Sequence, residues 1–176
     1  MLKENSNSTS RSAGYALVTG ASRGIGRAIA MRLAQEGYSL YLTCRHSPNQ
    51  LATLTEELID QYGISCVPFI ADMGNPSDVE RIFAQIPSLS VLVNNAGISY
   101  IGLIHEMSVA DWQEVMHTNL DAVFYTSCLA IPLMLRSHSG KIINISSVWG
   151  NVGASMEAAY SASKGGVNSF TRALAR

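Results

Sequence analysis

Short runs of apolar residues alternate along the chain with longer segments whose apolar residues recur every three or four positions. Five of the short runs are predicted as buried strands: YALVTG from Tyr15, SLYLTC from Ser39, SCVPFIAD, LSVLVNNAG and KIINISS. The helical spacing predicts helices over 23–36, 51–62, 75–86, 108–137 and 157–176. Strands that are apolar on both faces are typical of a parallel sheet covered by helices. The pattern therefore predicts an α/β fold with a doubly wound parallel sheet.

The longest helical segment and the two ends of the chain complete this outline. Residues 108–137 are predicted as one long helix or two joined ones, with Ser108 as the N-cap and a bend at Pro132. Residues 1–14 are polar and have no apolar core of a secretory signal, so we expect a flexible leader. Residues 15–176 contain no repeat and no linker, which predicts one domain.

Composition narrows the class of protein. Apolar residues make up 47% of the chain and charged residues 14%, which is typical of a packed globule. The net charge of −1 with no basic cluster argues against nucleic acid or an anionic membrane as partner. Cys44, Cys66 and Cys128 are widely spaced, so neither a disulfide framework nor a metal site is expected. A reducing, cytoplasmic location is the simplest setting.

A glycine-rich turn follows the first predicted strand. The sequence TGASRGIGRAIA places Gly20, Gly24 and Gly26 between that strand and the first helix. Glycines let the backbone approach a pyrophosphate, and the helix N-terminus supplies free N–H groups and positive potential. The alternative is a tight turn without a ligand. The position of the glycine-rich turn at the first strand-to-helix junction favours a dinucleotide site.

The end of the second strand bears on the choice of nucleotide. Residues 43–46 contain no acid to accept a hydrogen bond from the ribose 2′-hydroxyl of NAD. Arg45 together with Arg23 can instead clamp a 2′-phosphate, which favours NADPH; two solvated arginines are the alternative. Asp72, at the end of the third strand, is expected at the adenine edge unless it is a plain turn residue.

Two further motifs contain candidate functional residues. NNAG, residues 94–97, ends the fourth strand at the sheet edge where ligands bind in open α/β folds. Tyr160 and Lys164 are four residues apart, so on a helix they share one face. The many small residues over 158–166 are expected to let a bulky group approach that face. A chance pairing on a surface helix is the alternative.

Taken together, these motifs resemble the short-chain dehydrogenase/reductase family. TGASRGIG, NNAG, Asn119 in HTNLDAVF, Ser147 in INISSVWG and YSASK follow one another in the family's order from Tyr15 to the last residue. The resemblance implies these catalytic residues: Asn119, Ser147, Tyr160 and Lys164. It implies these cofactor-binding residues: Gly20, Ser22, Arg23, Gly24, Ile25, Gly26, Arg45, Asp72, Asn95, Ala96, Gly97, Tyr160 and Lys164.

The resemblance also implies a role for each catalytic residue. Tyr160 would give its proton to a ketone oxygen, and the neighbouring Lys164 ammonium would favour the phenolate and hold the nicotinamide ribose. Ser147 would hydrogen-bond the carbonyl oxygen. Asn119 would bend its helix and hold a water that relays protons to Lys164.

The sequence is most similar to the family's 3-oxoacyl-[acyl-carrier-protein] reductases, which implies NADPH-dependent reduction of a 3-oxoacyl thioester in fatty-acid biosynthesis. An NAD(P)-dependent alcohol, sugar or steroid dehydrogenase and a catalytically silent nucleotide-binding module are the alternatives. Family members continue with two more strands and a segment that covers the substrate. We therefore expect an incomplete Rossmann-type sheet with little turnover, and a homo-oligomer in the full-length form.

Overall fold

Five parallel strands form the centre of the molecule. The computed structural model describes residues 13–176, so most of the predicted leader over 1–14 lies outside the described residues. The strands are these: β1 Tyr15–Val18, β2 Ser39–Cys44, β3 Cys66–Ile70, β4 Val91–Asn94 and β5 Lys141–Asn144. Their order is β3-β2-β1-β4-β5, with parallel pairing throughout. This order confirms the predicted doubly wound sheet.

Helices cover both faces of the sheet. Their bounds are as follows: α1 Gly24–Gln35, α2 Pro48–Tyr62, α3 Pro76–Phe83, α4 Val109–Met116, α5 Ala122–Arg136, α6 Trp149–Val152 and α7 Ala158–Leu174. Ala16 and Val18 of β1 pack in one core cluster with α1 and α2. Leu17, between them, packs in the other cluster with α3 and α5. Side chains alternate across a strand, so one short strand contributes to both layers.

The segment predicted as one helix or two is continuous but not uniform. A π turn, His117–Asp121, joins α4 to α5. Ser108 is the predicted N-cap, because its side chain accepts a hydrogen bond from the Asp111 N–H at 3.0 Å. The departure from α-helical hydrogen bonding lies at the π turn, whereas Pro132 is inside α5. A π turn accommodates an extra residue in a helix and is common at functional sites.

This continuous helix is a core helix. By length and composition alone, Val109–Arg136 is apolar enough to cross a membrane. However, Ala130 and Met134 of α5 are buried in the same cluster as Leu17 and Leu92 of the sheet. The apolar character of the segment is thus explained by packing against the sheet.

The strand order determines where a ligand can bind. β1 lies between β2 and β4, and the connections from β1 to β2 and from β3 to β4 lead to opposite halves of the sheet. Such a switch point opens a crevice at the carboxyl ends of the central strands. At the β3 edge, Pro68 is tolerated because its missing N–H faces no further strand. The crevice therefore lies above the ends of β1 and β4.

The short helix α6 was not predicted from the sequence. The four residues of α6 follow the serines at the end of KIINISS, and this short helix packs on α7. A Cβ atom added at Gly150 would lie 2.6 Å from the carbonyl carbon of Lys164. A helix of four residues is too short for its periodicity to be read from sequence, and its close approach to α7 depends on tertiary packing.

Candidate active site

The glycine turn after β1 is tied to the end of β4 by side-chain hydrogen bonds. Asn95 Nδ2 donates to the carbonyl oxygens of Thr19 at 2.9 Å and Gly20 at 3.0 Å. In return, the Thr19 hydroxyl accepts from the N–H groups of Asn95 and Ala96, both at 3.0 Å. These bonds hold the turn in place independently of a ligand. Sequence analysis missed Thr19, although its position directly before Gly20 could have indicated it.

Two glycines of the turn have a steric role. Gly20 has φ +64°, a left-handed conformation that side chains rarely adopt. A Cβ atom at Gly26 would overlap the carbonyl oxygen of Gly20 and lie 2.5 Å from Asn95 Nδ2. The first turn of α1 therefore lies directly against the loop. This close packing leaves an open cradle in front of the helix N-terminus.

The cradle opens into a cleft of about 510 Å³. Nine of the predicted cofactor-binding residues line it: Gly20, Ser22, Arg23, Gly24, Ile25, Arg45, Asn95, Ala96 and Gly97. Gly26 is buried beneath the turn. The cleft also includes His46, Ser47 and Glu114, which sequence analysis did not select. One continuous cleft thus gathers residues from β1, β2, β4 and α4.

Arg45 is engaged by two carboxylates. Its Nε lies 3.3 Å from Asp72 Oδ2, and its Nη1 lies 3.1 Å from Glu114 Oε1. Asp72 also accepts a hydrogen bond from the Gly74 N–H at 2.9 Å. Asp72 lines a neighbouring cavity of about 280 Å³, which shares Arg45 with the glycine cleft, and does not line the glycine cleft itself. Glu114 belongs to α4, so only the fold could reveal its contact with Arg45.

Three of the four predicted catalytic side chains meet in a second cavity of about 400 Å³. Ser147, Tyr160 and Lys164 line it, and Ile25, Asn95, Gly97 and Ile98 line both this cavity and the glycine cleft. Lys164 Nζ lies 5.8 Å from the centroid of the Tyr160 ring. The two side chains are therefore on one face of α7, as their spacing predicts. The two cavities form adjoining parts of one cleft.

Lys164 is almost completely buried. Its ammonium donates to the carbonyl oxygen of Ile145 at 2.8 Å. Burial lowers the pKa of Lys164, because the charged form loses hydration inside the protein. The hydrogen bond fixes the ammonium at the end of β5, beside the cavity and beside the tyrosine ring.

Asn119 has a different position from the other three predicted catalytic residues. It is completely buried in the π turn and does not line the cavity. Its Oδ1 accepts from the Ile98 N–H at 2.8 Å, and its Nδ2 donates to the Ile98 carbonyl at 2.8 Å and to Ser163 Oγ at 3.0 Å. A Cβ atom at Gly97 would lie 3.2 Å from Asn119 Oδ1 and 3.5 Å from Lys164 Nζ. Asn119 thus ties the loop after β4 to α7, and Gly97 separates it from Lys164.

The two adjacent serines are distinguished by their contacts. The Ser146 hydroxyl donates to the carbonyl oxygen of Lys164 at 3.2 Å and thereby holds the end of β5 on α7. The Ser147 hydroxyl accepts from the Trp149 N–H at 3.2 Å at the start of α6. Ser147 keeps its own proton available to a molecule in the cavity. This difference favours Ser147 as the side chain that contacts a substrate.

Four of the small residues around Tyr160 do not serve the purpose expected from the sequence. A Cβ atom at Gly166 would lie 2.8 Å from Leu120 Cδ2 of the π turn. Gly165 faces Gly150 of α6, and Ala159 and Ser163 are buried. The expectation that this stretch admits a bulky ligand is wrong at these positions. Small side chains are needed there because α6 and the π turn pack closely on α7.

Known proteins are similar to this chain in sequence and in fold. The family model described as short chain dehydrogenase matches residues 14–176. The 3-oxoacyl-[acyl-carrier-protein] reductase FabG of Staphylococcus aureus is 43% identical over 92% of this chain and 67% of its own length. The 3-oxoacyl-[acyl-carrier-protein] reductase of Synechocystis is 38% identical over 96% of this chain and 69% of its own length.

A solved structure agrees with these sequence matches. The crystal structure assigned to a short-chain alcohol dehydrogenase of Sinorhizobium meliloti superposes with a TM-score of 0.85 at 33% identity, over 93% of this chain and 66% of that chain. The chain therefore spans about two thirds of the length of these relatives. The family match, the sheet order and the tyrosine–lysine pair beside a glycine turn lead to one conclusion: the chain belongs to the short chain dehydrogenase family, whose members are oxidoreductases that act on CH–OH and C=O groups.

Proposed function

We propose that the protein reduces a ketone to a secondary alcohol with NADPH, and that a 3-oxoacyl thioester is its substrate, as in fatty-acid biosynthesis. One observation carries this proposal: Ser147, Tyr160 and Lys164 line a cavity that adjoins the glycine cleft. Nucleotide and ketone can thus meet at Ile25 and Gly97. The names of the S. aureus and Synechocystis relatives support the choice of substrate.

The residues of the cleft fit a nicotinamide dinucleotide. The Gly20 turn and the N-terminus of α1 offer backbone N–H groups to a pyrophosphate, and no side chain projects from Gly20, Gly24 or Gly26. Asn95 and Gly97 extend this surface toward Lys164. When bound, the reduced cofactor supplies a hydride to the carbonyl carbon. The side chains of this protein supply the proton and hold the substrate.

Proton transfer is assigned to Tyr160. Its hydroxyl donates a proton to the ketone oxygen as negative charge develops there, and the Lys164 ammonium near its ring stabilises the resulting phenolate. Ser147 donates a hydrogen bond to the same oxygen and orients the carbonyl. Asn119 keeps the loop at Ile98 and helix α7 in register, which fixes Lys164 relative to Gly97. Its predicted water relay stays a prediction.

NADPH is proposed because both predicted arginines line the glycine cleft. Arg23 is exposed before α1, and Arg45 follows β2. A bound 2′-phosphate would share Arg45 with Asp72 and Glu114, which already neutralise part of its charge. We therefore expect NADPH to be preferred over NADH by a moderate factor. Replacing Arg45 with Ala should weaken NADPH binding about tenfold and leave NADH binding nearly unchanged.

We also propose a cytoplasmic protein that self-associates. The continuous helix 109–136 exposes large apolar side chains: Val109 is 73% exposed, Phe124 50% and Leu135 68%. Apolar groups on one helix are suited to an interface with a second copy. Sedimentation of the wild type and of Phe124→Ser tests this proposal. The wild type should sediment as an oligomer and Phe124→Ser as a smaller species, and a monomeric wild type would contradict the proposal.

The central test is direct detection of hydride transfer. The protein is incubated with NADPH deuterated at the transferable position and with an acetoacetyl thioester, and the deuterated alcohol is quantified by mass spectrometry. Tyr160→Phe should lower the rate by at least about 100-fold and retain NADPH affinity, because the hydroxyl acts in proton transfer. Tyr62→Phe, at the end of α2, is the matched control. Measurable product formed at equal rates by wild type and Tyr160→Phe would contradict the proposal.

The same assay separates the alternatives. Product from a simple secondary ketone or sugar, without product from the thioester, would assign a different substrate within the family. NADPH binding without product from any ketone would indicate a silent nucleotide-binding module. Either result would contradict the proposed substrate, and neither would affect the conclusions about the fold and the glycine cleft.

A further inference from the structure

The catalytic cavity contains one more charged side chain, which the mechanism above does not use. Glu157 lines the same cavity as Tyr160 and Lys164. It is half-buried, and its carboxylate accepts a hydrogen bond from Ser99 Oγ at 2.6 Å. Ser99 also lines the cavity. An acidic group is thus held at the place where a ketone would bind.

Hydrogen bonds hold the backbone on both sides of Glu157. The preceding residue, Met156, has φ +62°, and its carbonyl accepts from the Gly102 N–H at 2.9 Å. The Glu157 carbonyl in turn accepts from the Ser161 N–H at 2.9 Å in the first turn of α7. A methionine in the left-handed region is strained and persists only where its surroundings hold it. The turn therefore holds the backbone of Glu157 beside the cavity.

The carboxylate has a neutral partner. Within residues 13–176, no lysine, arginine or histidine nitrogen lies within ion-pair distance of Glu157. The other charged group of the cavity, Lys164, donates to the Ile145 carbonyl. A carboxylate that is partly desolvated and bonded only to a hydroxyl attracts a cation more strongly than one in water. The cavity can thus stabilise a positive charge on its ligand.

An aromatic side chain lies in the same cavity. Trp149 is 40% exposed and lines it together with Glu157. The face of an indole ring attracts alkylammonium groups, and tryptophan is the most effective aromatic residue for this purpose. A carboxylate and an exposed indole around one cavity are the chemistry that recognises an amine-bearing molecule. Neither group contributes to hydride or proton transfer in the mechanism.

We propose that Glu157 is a specificity-determining residue that makes the protein prefer, among 3-oxo compounds, those whose chain carries a positively charged amine. This inference rests on the proposed ketone reduction and narrows its substrate class. Glu157 accepts a charge-assisted hydrogen bond from the ammonium while Tyr160 and Ser147 hold the ketone oxygen. A 3-oxoacyl chain that carries an ammonium group is then reduced more efficiently than a neutral one, and an anionic chain is repelled.

A set of matched ketones tests the proposal. Three linear ketones of equal length end in a primary amine, a hydroxyl or a carboxylate, and reduction is followed by the deuterium assay with NADPH. The wild type should reduce the amine at least about tenfold more efficiently than the hydroxyl compound, and the carboxylate least, since hydrogen bonds to charged groups are the stronger ones. Equal efficiency with the amine and hydroxyl compounds would overturn the proposal.

Three substitutions assign the preference to Glu157. Glu157→Gln keeps the size of the side chain and should abolish the preference, whereas Glu56→Gln, an equal charge change on the exposed face of α2, should retain it. Glu157→Lys should favour the carboxylate compound. A reversed order cannot result from misfolding. An amine preference that persists in Glu157→Gln would show that the inference is wrong.

A binding measurement separates this inference from the proposed function. The Trp149 indole N–H is followed by NMR while the amine or the hydroxyl ketone is added to the protein. A shift caused by the amine ketone in the wild type and lost in Glu157→Gln supports the amine site, even if no ketone is reduced. Reduction of all three ketones with equal efficiency, and no such shift, would support ketone reduction and overturn the amine site.

Discussion

The two ends of the cleft are built in different ways. At the glycine end, the ligand surface is backbone, and its shape depends on Gly20 and Gly26 and on the bonds from Asn95. At the catalytic end, the surface consists of side chains on α7 and after β5, with titratable groups around the cavity. We therefore expect added side-chain atoms to lower stability at the glycine end, and loss of a functional group to lower activity at the catalytic end. Substitutions at the two ends should therefore differ in their effects on stability and on activity.

The largest effect is expected at the glycine end. Gly26→Val places side-chain atoms where the Gly20 carbonyl and Asn95 Nδ2 lie, so α1 must move away from the turn. We expect a loss of about 3 kcal/mol in the free energy of unfolding, together with loss of nucleotide binding. Urea denaturation and NADPH fluorescence measure the two effects.

Gly24→Ala is the control for that substitution. A Cβ atom at Gly24 meets no other atom within 4 Å, and only the backbone conformation, with φ +57°, opposes it. The expected cost is about 1–2 kcal/mol. If Gly26→Val were no more destabilising than Gly24→Ala, close packing of α1 on the turn would not be what shapes the glycine end.

The next largest effect is expected at Asn119, which lies between the two ends of the cleft. Asn119→Ala removes a buried side chain that makes three hydrogen bonds, and leaves the Ile98 N–H and carbonyl without this partner. We expect a loss of about 2–3 kcal/mol in the free energy of unfolding. Asn49→Ala, on the exposed face of α2, should change it by no more than about 0.5 kcal/mol.

A larger effect of Asn119→Ala on turnover than on stability would change this view of the residue. The side chain would then act on the reaction as well as on the packing of α7, in agreement with the predicted water relay. Comparing the rate of deuteride transfer with the free energy of unfolding for the same variant distinguishes the two roles.

The smallest effect concerns pH and tests the catalytic end. Burial lowers the pKa of Lys164, so between the folded and unfolded pKa values the unfolded chain binds more protons. The contribution of Lys164 to the unfolding free energy therefore rises with pH through that window and is constant below it. Lys164→Met should abolish this rise. The measurement is urea denaturation from neutral to alkaline pH.

The comparison for this prediction is Lys141→Met, which removes a charge from an exposed residue of β5. The unfolding free energy of Lys164→Met minus that of Lys141→Met should decrease as the pH rises. The reason is that Lys141→Met keeps Lys164, and its cost of burying the charge is relieved as Lys164 loses its proton. A difference that is independent of pH would mean that Lys164 is not desolvated at this end of the cleft.

The fold and much of the candidate site follow from local patterns. Apolar runs indicated the five strands, and helical spacing placed Tyr160 and Lys164 on one face. The partners of these residues were less accessible. Thr19, Glu114 and Ser163 are separated in sequence from the groups that they contact, and hydroxyl or carboxyl residues at such positions are common on any surface.

The expectation about small residues shows why a local reading can be wrong. A row of glycines and alanines indicates that something approaches closely, but it does not identify what approaches. Here α6 and Leu120 occupy the space at Gly165 and Gly166. The four-residue α6 could not be predicted, so its contact with α7 could not be predicted either.

The sequence by itself determined the alternation of strands and helices, the glycine turn and the spacing of the tyrosine–lysine pair, because each depends on residues close together in the chain. Only the tertiary structure decided that Arg45 is paired with Asp72 and Glu114, that Asn119 lies behind Gly97, and that Glu157 faces the catalytic cavity. These contacts join segments from different strands and helices. Their geometry depends on how closely the helices pack on the sheet, and the spacing of residues along the chain does not specify that distance.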